Sequence, residues 1–200
     1  MTKTETGFAA ATRVVAGDDG TAYDGVAITL HWATALLVVV QFLNAKTWDW
    51  FPRETRESVE SLHISLGVLL SAVIVARLAW RWIPGRQVSS VQVGWVRIAS
   101  KGMHYLIYAL LVAQAVTGFA FRWAQGHPAG FFGLFAIPGP FGELARPVRR
   151  QLHELHEWIA WAIIVLALLH ALAALYHHYV LKDGVLGRML PLARRSEVAR

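Results

Sequence analysis

The chain alternates between long apolar runs and short polar joints. Four runs stand out, at residues 26–45, 61–83, 102–123 and 152–181. Each is long enough to cross about 30 Å of hydrocarbon as an α-helix. Backbone amides in lipid must be paired within their own segment, so four helices are the natural solution. The expected fold is an all-α integral membrane four-helix bundle. Trp32, Trp80, Trp82, Trp123 and Trp158 fall at or near the ends of the runs, as an aromatic belt requires. Pro84-Gly85 is a plain stop for the second helix. The long joint at 124–151 contains FFGLFAIPGPFGELARPVRR; its phenylalanines are expected in the interface, its arginines in water, and the whole loop over one end of the bundle.

Composition agrees with this pattern. Of 200 residues 56% are hydrophobic and only 16% charged, too apolar for an ordinary soluble domain. The absence of cysteine excludes disulfides, thiolate metal sites, iron–sulfur clusters and covalently attached haem. Residues 1–25 lack the basic–apolar–small pattern of a cleaved signal and read as a disordered tail. Residues 26–191 then form the membrane domain, and 192–200 a basic C-terminal tail.

The net charge of +6 has no basic patch clear of the apolar runs, so nucleic acid is not an expected partner. Topology explains it instead. An even number of spans puts both termini on one side, and that side holds twelve Lys and Arg against seven on the other. By the positive-inside rule both termini are expected in the cytoplasm.

The candidate chemistry lies in the histidines. The stretch LHELHEWIAWAIIVLALLHALAALYHHYVLKD holds five of the nine. His156 and His170 are 14 residues apart, close to four turns and roughly 21 Å of rise, so they share a face at two depths. Depth also pairs His31 with His170 at the terminal, inner end and His63 with His156 at the outer end. A histidine inside a membrane is a functional-site hypothesis by default, and neutral imidazole on facing helices is a recurrent haem ligand. One turn beyond each of the four stands a small residue, Ala35, Gly67, Ala160 or Ala174, where a flat macrocycle would need room. Small residues at helix seams are also common in membranes without any cofactor.

The remaining histidines read differently. His104 fits an ordinary hydrogen bond across helices, and His127, between Gly126 and Pro128, fits a solvated loop. His153 is a shallower rival to His156, while His177 and His178 lie near the inner interface. Zinc is the competing cofactor, but it needs four ligands around one ion, and the four strongest candidates are split between opposite ends.

ITLHWATALL around His31, SLHISLGVL followed by VARLAWRW, GMHYLIYALL, and above all LHEWIAWAIIVLALLHALAALYHHYVLKDGVLGRMLP resemble the bacterial cytochrome b561 family over about residues 24–191. The resemblance implies a bacterial inner-membrane, multi-pass protein with two haem b groups, His31 and His170 ligating the inner iron and His63 and His156 the outer. No other residue is given a catalytic role. It implies electron transfer linked to the quinone pool, with ubiquinone as substrate and superoxide, in some members, as donor. His177 and His178 are the candidates for the quinone, and Arg149 and Arg150 for propionates or a small anionic donor. Membrane lipid and a protein redox partner complete the expected contacts. The alternative is a haem-bearing anchor that docks a dehydrogenase or hydrogenase.

Overall fold

A computed structural model describes residues 23–83 and 94–189. Its four long helices are α1 (Gly25–Thr47), α2 (Arg53–Trp82), α3 (Gly94–Ala124) and α4 (Arg146–Tyr176). All four are long and apolar enough to cross a membrane. The expected disordered N-terminal tail, the Pro84-Gly85 stop and the basic C-terminal tail lie outside the described residues, save for Tyr23 to Gly25 of the tail.

The helices are longer than the apolar runs. α2 starts eight residues before Ser61, α3 eight before Gly102 and α4 six before Leu152. The apolar count marks where lipid ends, whereas a helix continues wherever its charged turns are satisfied by water and by each other. At about 1.5 Å per residue, α2 spans about 45 Å, half as much again as the hydrocarbon core. Its first turns are anchored by Arg56 to Asp49 at 3.3 Å, and those of α4 by Arg150 to Glu154, one turn on, also at 3.3 Å. Arg146, Arg149 and Arg150 therefore belong to a helix and not to the loop.

Caps define the terminal end. Asp24 accepts from the Ala27 amide at 2.9 Å, closing the first turn of α1. The same carboxylate accepts from Trp80 Nε1 at 3.0 Å, which ties the start of α1 to the end of α2. Trp32 Nε1 donates to the Met189 carbonyl at 2.7 Å, holding the chain beyond α4 against α1.

At the opposite, far end the 124–151 joint contains a short hairpin, β1 (Ala129–Phe131) and β2 (Phe135–Ile137), with Ala129 opposite Ile137. It covers α2: the Phe132 amide donates to the buried Ser65 hydroxyl at 3.0 Å. Phe131 stacks on Phe135 at 5.0 Å. Trp123, expected in the aromatic belt, instead supports this loop, with Nε1 on the Ile137 carbonyl at 3.2 Å. A Cβ on Gly139 would fall 2.6 Å from the Trp123 ring, so the chain passes over that indole only because position 139 has no side chain. Trp82 and Trp158 are about three-quarters exposed.

Inside, the bundle is layered. Leu70, Ile74, Leu111 and Ile163 form the buried centre, flanked by Leu37, Val38, Ile107 and Ile159. Ile163 is seven residues from both His156 and His170, and Leu70 is seven beyond His63. Seven residues is close to two turns, so an apolar plug separates two histidine-bearing layers.

Candidate haem sites

The far layer collects His63 from α2, His156 from α4, Gln41 and Asn44 from α1, and Gln114 and Thr117 from α3. The His63 and His156 rings are 6.5 Å apart, centre to centre. Gln41 Nε2 donates to the His63 carbonyl at 2.9 Å. A Cβ on Gly67 would lie 3.1 Å from that amide, so Gly67, expected to make room beside a macrocycle, gives its space to Gln41. A residue the sequence reading passed over is Gly118: a Cβ there would stand 3.0 Å from His156 Cε1. The signal for it lies on the opposing helix rather than one turn along from the ligand.

The terminal layer places His31 and His170 at 6.3 Å, again on facing helices. His104 joins them, 5.1 Å from His170. Its Nδ1–H donates to the Ser100 carbonyl at 2.6 Å, which is a bond within its own helix rather than the expected bond between helices. Arg77 Nη2 donates to His31 Nδ1 at 2.8 Å, and its guanidinium lies 5.1 Å over the Tyr108 ring. Since arginine has no acceptor, neutral His31 holds its proton on Nε2 in this arrangement. Coordination through Nε2 requires Arg77 to give up that bond.

Three observations test whether these residues suit a haem. Two imidazoles on opposite sides of one first-row metal, each about 2 Å from it, have ring centres about 6 Å apart; 6.3 and 6.5 Å match, and the 5.1 Å from His104 to His170 is too short. Second, buried Gln41 Oε1, Asn44 Oδ1, His63 Nδ1 and Gln114 Oε1 have no hydrogen-bond partner, all in the far layer. Each such group costs about 1–3 kcal/mol; three of them are amide oxygens, which a haem has no N–H to satisfy, so they mark a polar layer around the histidines and not a contact with the macrocycle. Third, among the described residues no three His, Asp or Glu side chains converge on one point, which leaves zinc without a ligand set. The residues fit the haem.

The other candidates separate. His153 is exposed, its ring 5.2 Å from Phe121. His127 is exposed in the loop, as expected. His177 begins a π-helical turn, His177–Leu181, a distortion that recurs at functional sites. Its Nδ1 is held by Asp183, whose other oxygen accepts from the Val185 amide at 3.2 Å. Burial raises the Asp183 carboxyl, but the bonds from His177 and Val185 outweigh it and hold the group below its ordinary value. His178 is exposed and packs on Tyr179 at 4.8 Å. Arg149 is paired with Glu143 at 2.6 Å and Arg150 with Glu154.

Comparison with known proteins agrees with this architecture. Residues 22–192 match the family of prokaryotic cytochrome b561. The chain is 33% identical over 174 residues to Escherichia coli K12 cytochrome b561 homolog 2, covering 84% of this chain and 90% of that protein. It is 31% identical over 175 residues to the probable superoxide oxidase CybB of Yersinia pestis, covering 86% and 97%. It is 30% identical over 175 residues to cytochrome b562 of Cereibacter sphaeroides, covering 84% and 94%. With four membrane-length helices and half-buried histidine pairs on facing helices, the chain belongs to the prokaryotic cytochrome b561 family, multi-pass proteins of the bacterial inner membrane that transfer electrons on b-type haem.

Proposed function

We propose that this protein carries single electrons across the membrane between two haem b sites, one in each histidine layer, and exchanges them with the quinone pool. The observation that carries the reading is the pair of spacings, 6.3 and 6.5 Å, on either side of the apolar plug. His31 and His170 hold the group in the terminal layer, His63 and His156 the one in the far layer. Held by these histidine pairs, such a group would supply one-electron transfer rather than oxygen activation. The histidines on α4 are about 21 Å apart by helix rise, and Leu70, Ile74, Leu111 and Ile163 keep water from the space between.

His177 is the proposed contact for ubiquinone at the terminal end. Asp183 fixes its Nδ1, so Nε2 is the atom that meets a quinone carbonyl and exchanges the proton that accompanies reduction. His178, exposed beside it, lines the approach. Superoxide as the donor at the far end rests on the name of the Yersinia pestis relative; the charge of this chain adds nothing to it. Seven basic residues there face seven acidic ones: Asp49, Glu54, Glu57, Glu60, Glu143, Glu154 and Glu157. Five of the seven cations are in ion pairs. That balance removes the long-range attraction on which anion steering depends.

The test is a reduced-minus-oxidised visible spectrum with the haem-to-protein ratio. The expected ratio is two for the native protein and one for both His156→Ala and His170→Ala. A variant that still holds two haems overturns the assignment.

A further inference from the structure

α3 supplies none of the four proposed ligands, yet it grips one of them from three sides. His156 Nδ1 lies 3.2 Å from Thr117 Oγ1, and His156 Nε2 lies 3.1 Å from Gln114 Nε2. The third contact is the bare backbone of Gly118, where a Cβ would stand 3.0 Å from Cε1. Thr117 is itself buried.

The hydrogen bonds decide where the imidazole proton sits. A hydroxyl has one proton to donate, and that of Thr117 goes to the carbonyl of its own helix, Ala113 O at 2.9 Å, with Gln114 O at 3.1 Å. Toward His156, Thr117 is therefore an acceptor, and Nδ1 carries the proton. The Gln114 amide, a donor, agrees: it meets a lone pair on Nε2. Neutral His156 is thus held in the tautomer that presents Nε2 to a metal, and the Gln114 amide marks the place an iron would take.

We propose that Thr117 is a positioning residue for His156, fixing its ring and tautomer and setting the reduction potential of the far-layer haem. This rests on the reading of His156 as a ligand. A ligating histidine that donates its other N–H to an acceptor becomes a stronger donor to the metal, which favours oxidised iron and lowers the potential. The hydroxyl also forms an ordinary bond within its helix, so a purely structural role is the competing account, and the two differ in whether the far-layer midpoint moves while its haem is retained.

The experiment is a redox titration of the purified protein, following both haems by visible absorbance, for Thr117→Val, Thr117→Ser and Gly118→Ala beside His156→Ala. Thr117→Val keeps the side-chain shape and removes the acceptor. It is expected to retain two haems and to raise one midpoint only, by about threefold to tenfold in the reduction equilibrium, or about 28 to 59 mV for a one-electron couple. Thr117→Ser keeps the native midpoints. Gly118→Ala, whose new carbon must displace the ring, perturbs the same haem, identified as the one missing from His156→Ala. Loss of that haem from Thr117→Val is the outcome of a purely structural role and overturns the proposal. Unchanged midpoints in Thr117→Val, equal shifts of both haems, or a Thr117→Ser shift as large as that of Thr117→Val overturns it. Two haems retained in His156→Ala would instead overturn the ligand assignment beneath it.

Discussion

At the scale of single residues, spacing separates histidines that composition treats alike. His31 and His104 both approach His170, at 6.3 and 5.1 Å, and only the longer distance leaves room for a metal between two rings. His104→Ala is accordingly expected to keep both haems, as counted from the pyridine haemochrome spectrum, whereas His31→Ala loses one. A His104→Ala protein with a single haem would exchange the roles of the two residues. Arginine behaves in the opposite way, since its role depends on neighbours the sequence does not display. Arg149 and Arg150 look available to steer an anion, but Glu143 and Glu154 already occupy them. If superoxide is the donor, its oxidation should vary little with ionic strength, and Arg149→Ala with Arg150→Ala should change the rate less than twofold. A steep decline with salt would restore steering. The sequence exposed the histidines because they are costly in lipid; it concealed the ion pairs because surface charges carry no such mark.

At the scale of elements, each helix combines two tasks. α4 presents His156 and His170 on one face, then ends in the π-helical turn that delivers His177 to Asp183. His177→Leu is expected to preserve both haems and to slow quinone reduction in membranes by about a hundredfold or more, the scale on which general acid–base groups act. Unchanged quinone kinetics would remove His177 from the site. α3 has the more hidden part. Its lone intramembrane histidine drew attention, while Gln114, Thr117 and Gly118 passed as ordinary packing residues. Their relation to His156 crosses 38 to 42 residues of sequence, and no periodicity within α3 reports it. The hairpin was missed for a related reason: FFGLFAI has the aromatic content of an interfacial loop, and its place is fixed by partners on other helices, the Ser65 hydroxyl on α2 and the Trp123 indole on α3.

At the scale of the whole molecule, the layers support the proposed function. Two polar layers, each with a histidine pair at metal-bridging distance, are divided by Leu70, Ile74, Leu111 and Ile163. Orientation in the membrane follows from the distribution of basic residues rather than from the bundle itself, and both termini are expected in the cytoplasm. The absence of native cysteine makes this simple to measure. Single cysteines introduced at Thr2 and Ser196 should resist an impermeant thiol reagent in intact cells, and one at Gly133 in the hairpin should react. The reverse pattern would invert the direction of electron flow.

The sequence by itself determined the four membrane helices, the family and the two-depth arrangement of histidines. Lipid imposes these locally: an apolar run long enough to span must be helical, and an imidazole within it must have a purpose. Only the tertiary structure decided which histidine meets which partner, that Gly67 accommodates Gln41, that Thr117 and Gln114 lie against His156, and that Arg149 and Arg150 pair with Glu143 and Glu154. Those facts depend on distances between helices, and a distance between helices is set by how side chains interlock rather than by any one segment's composition.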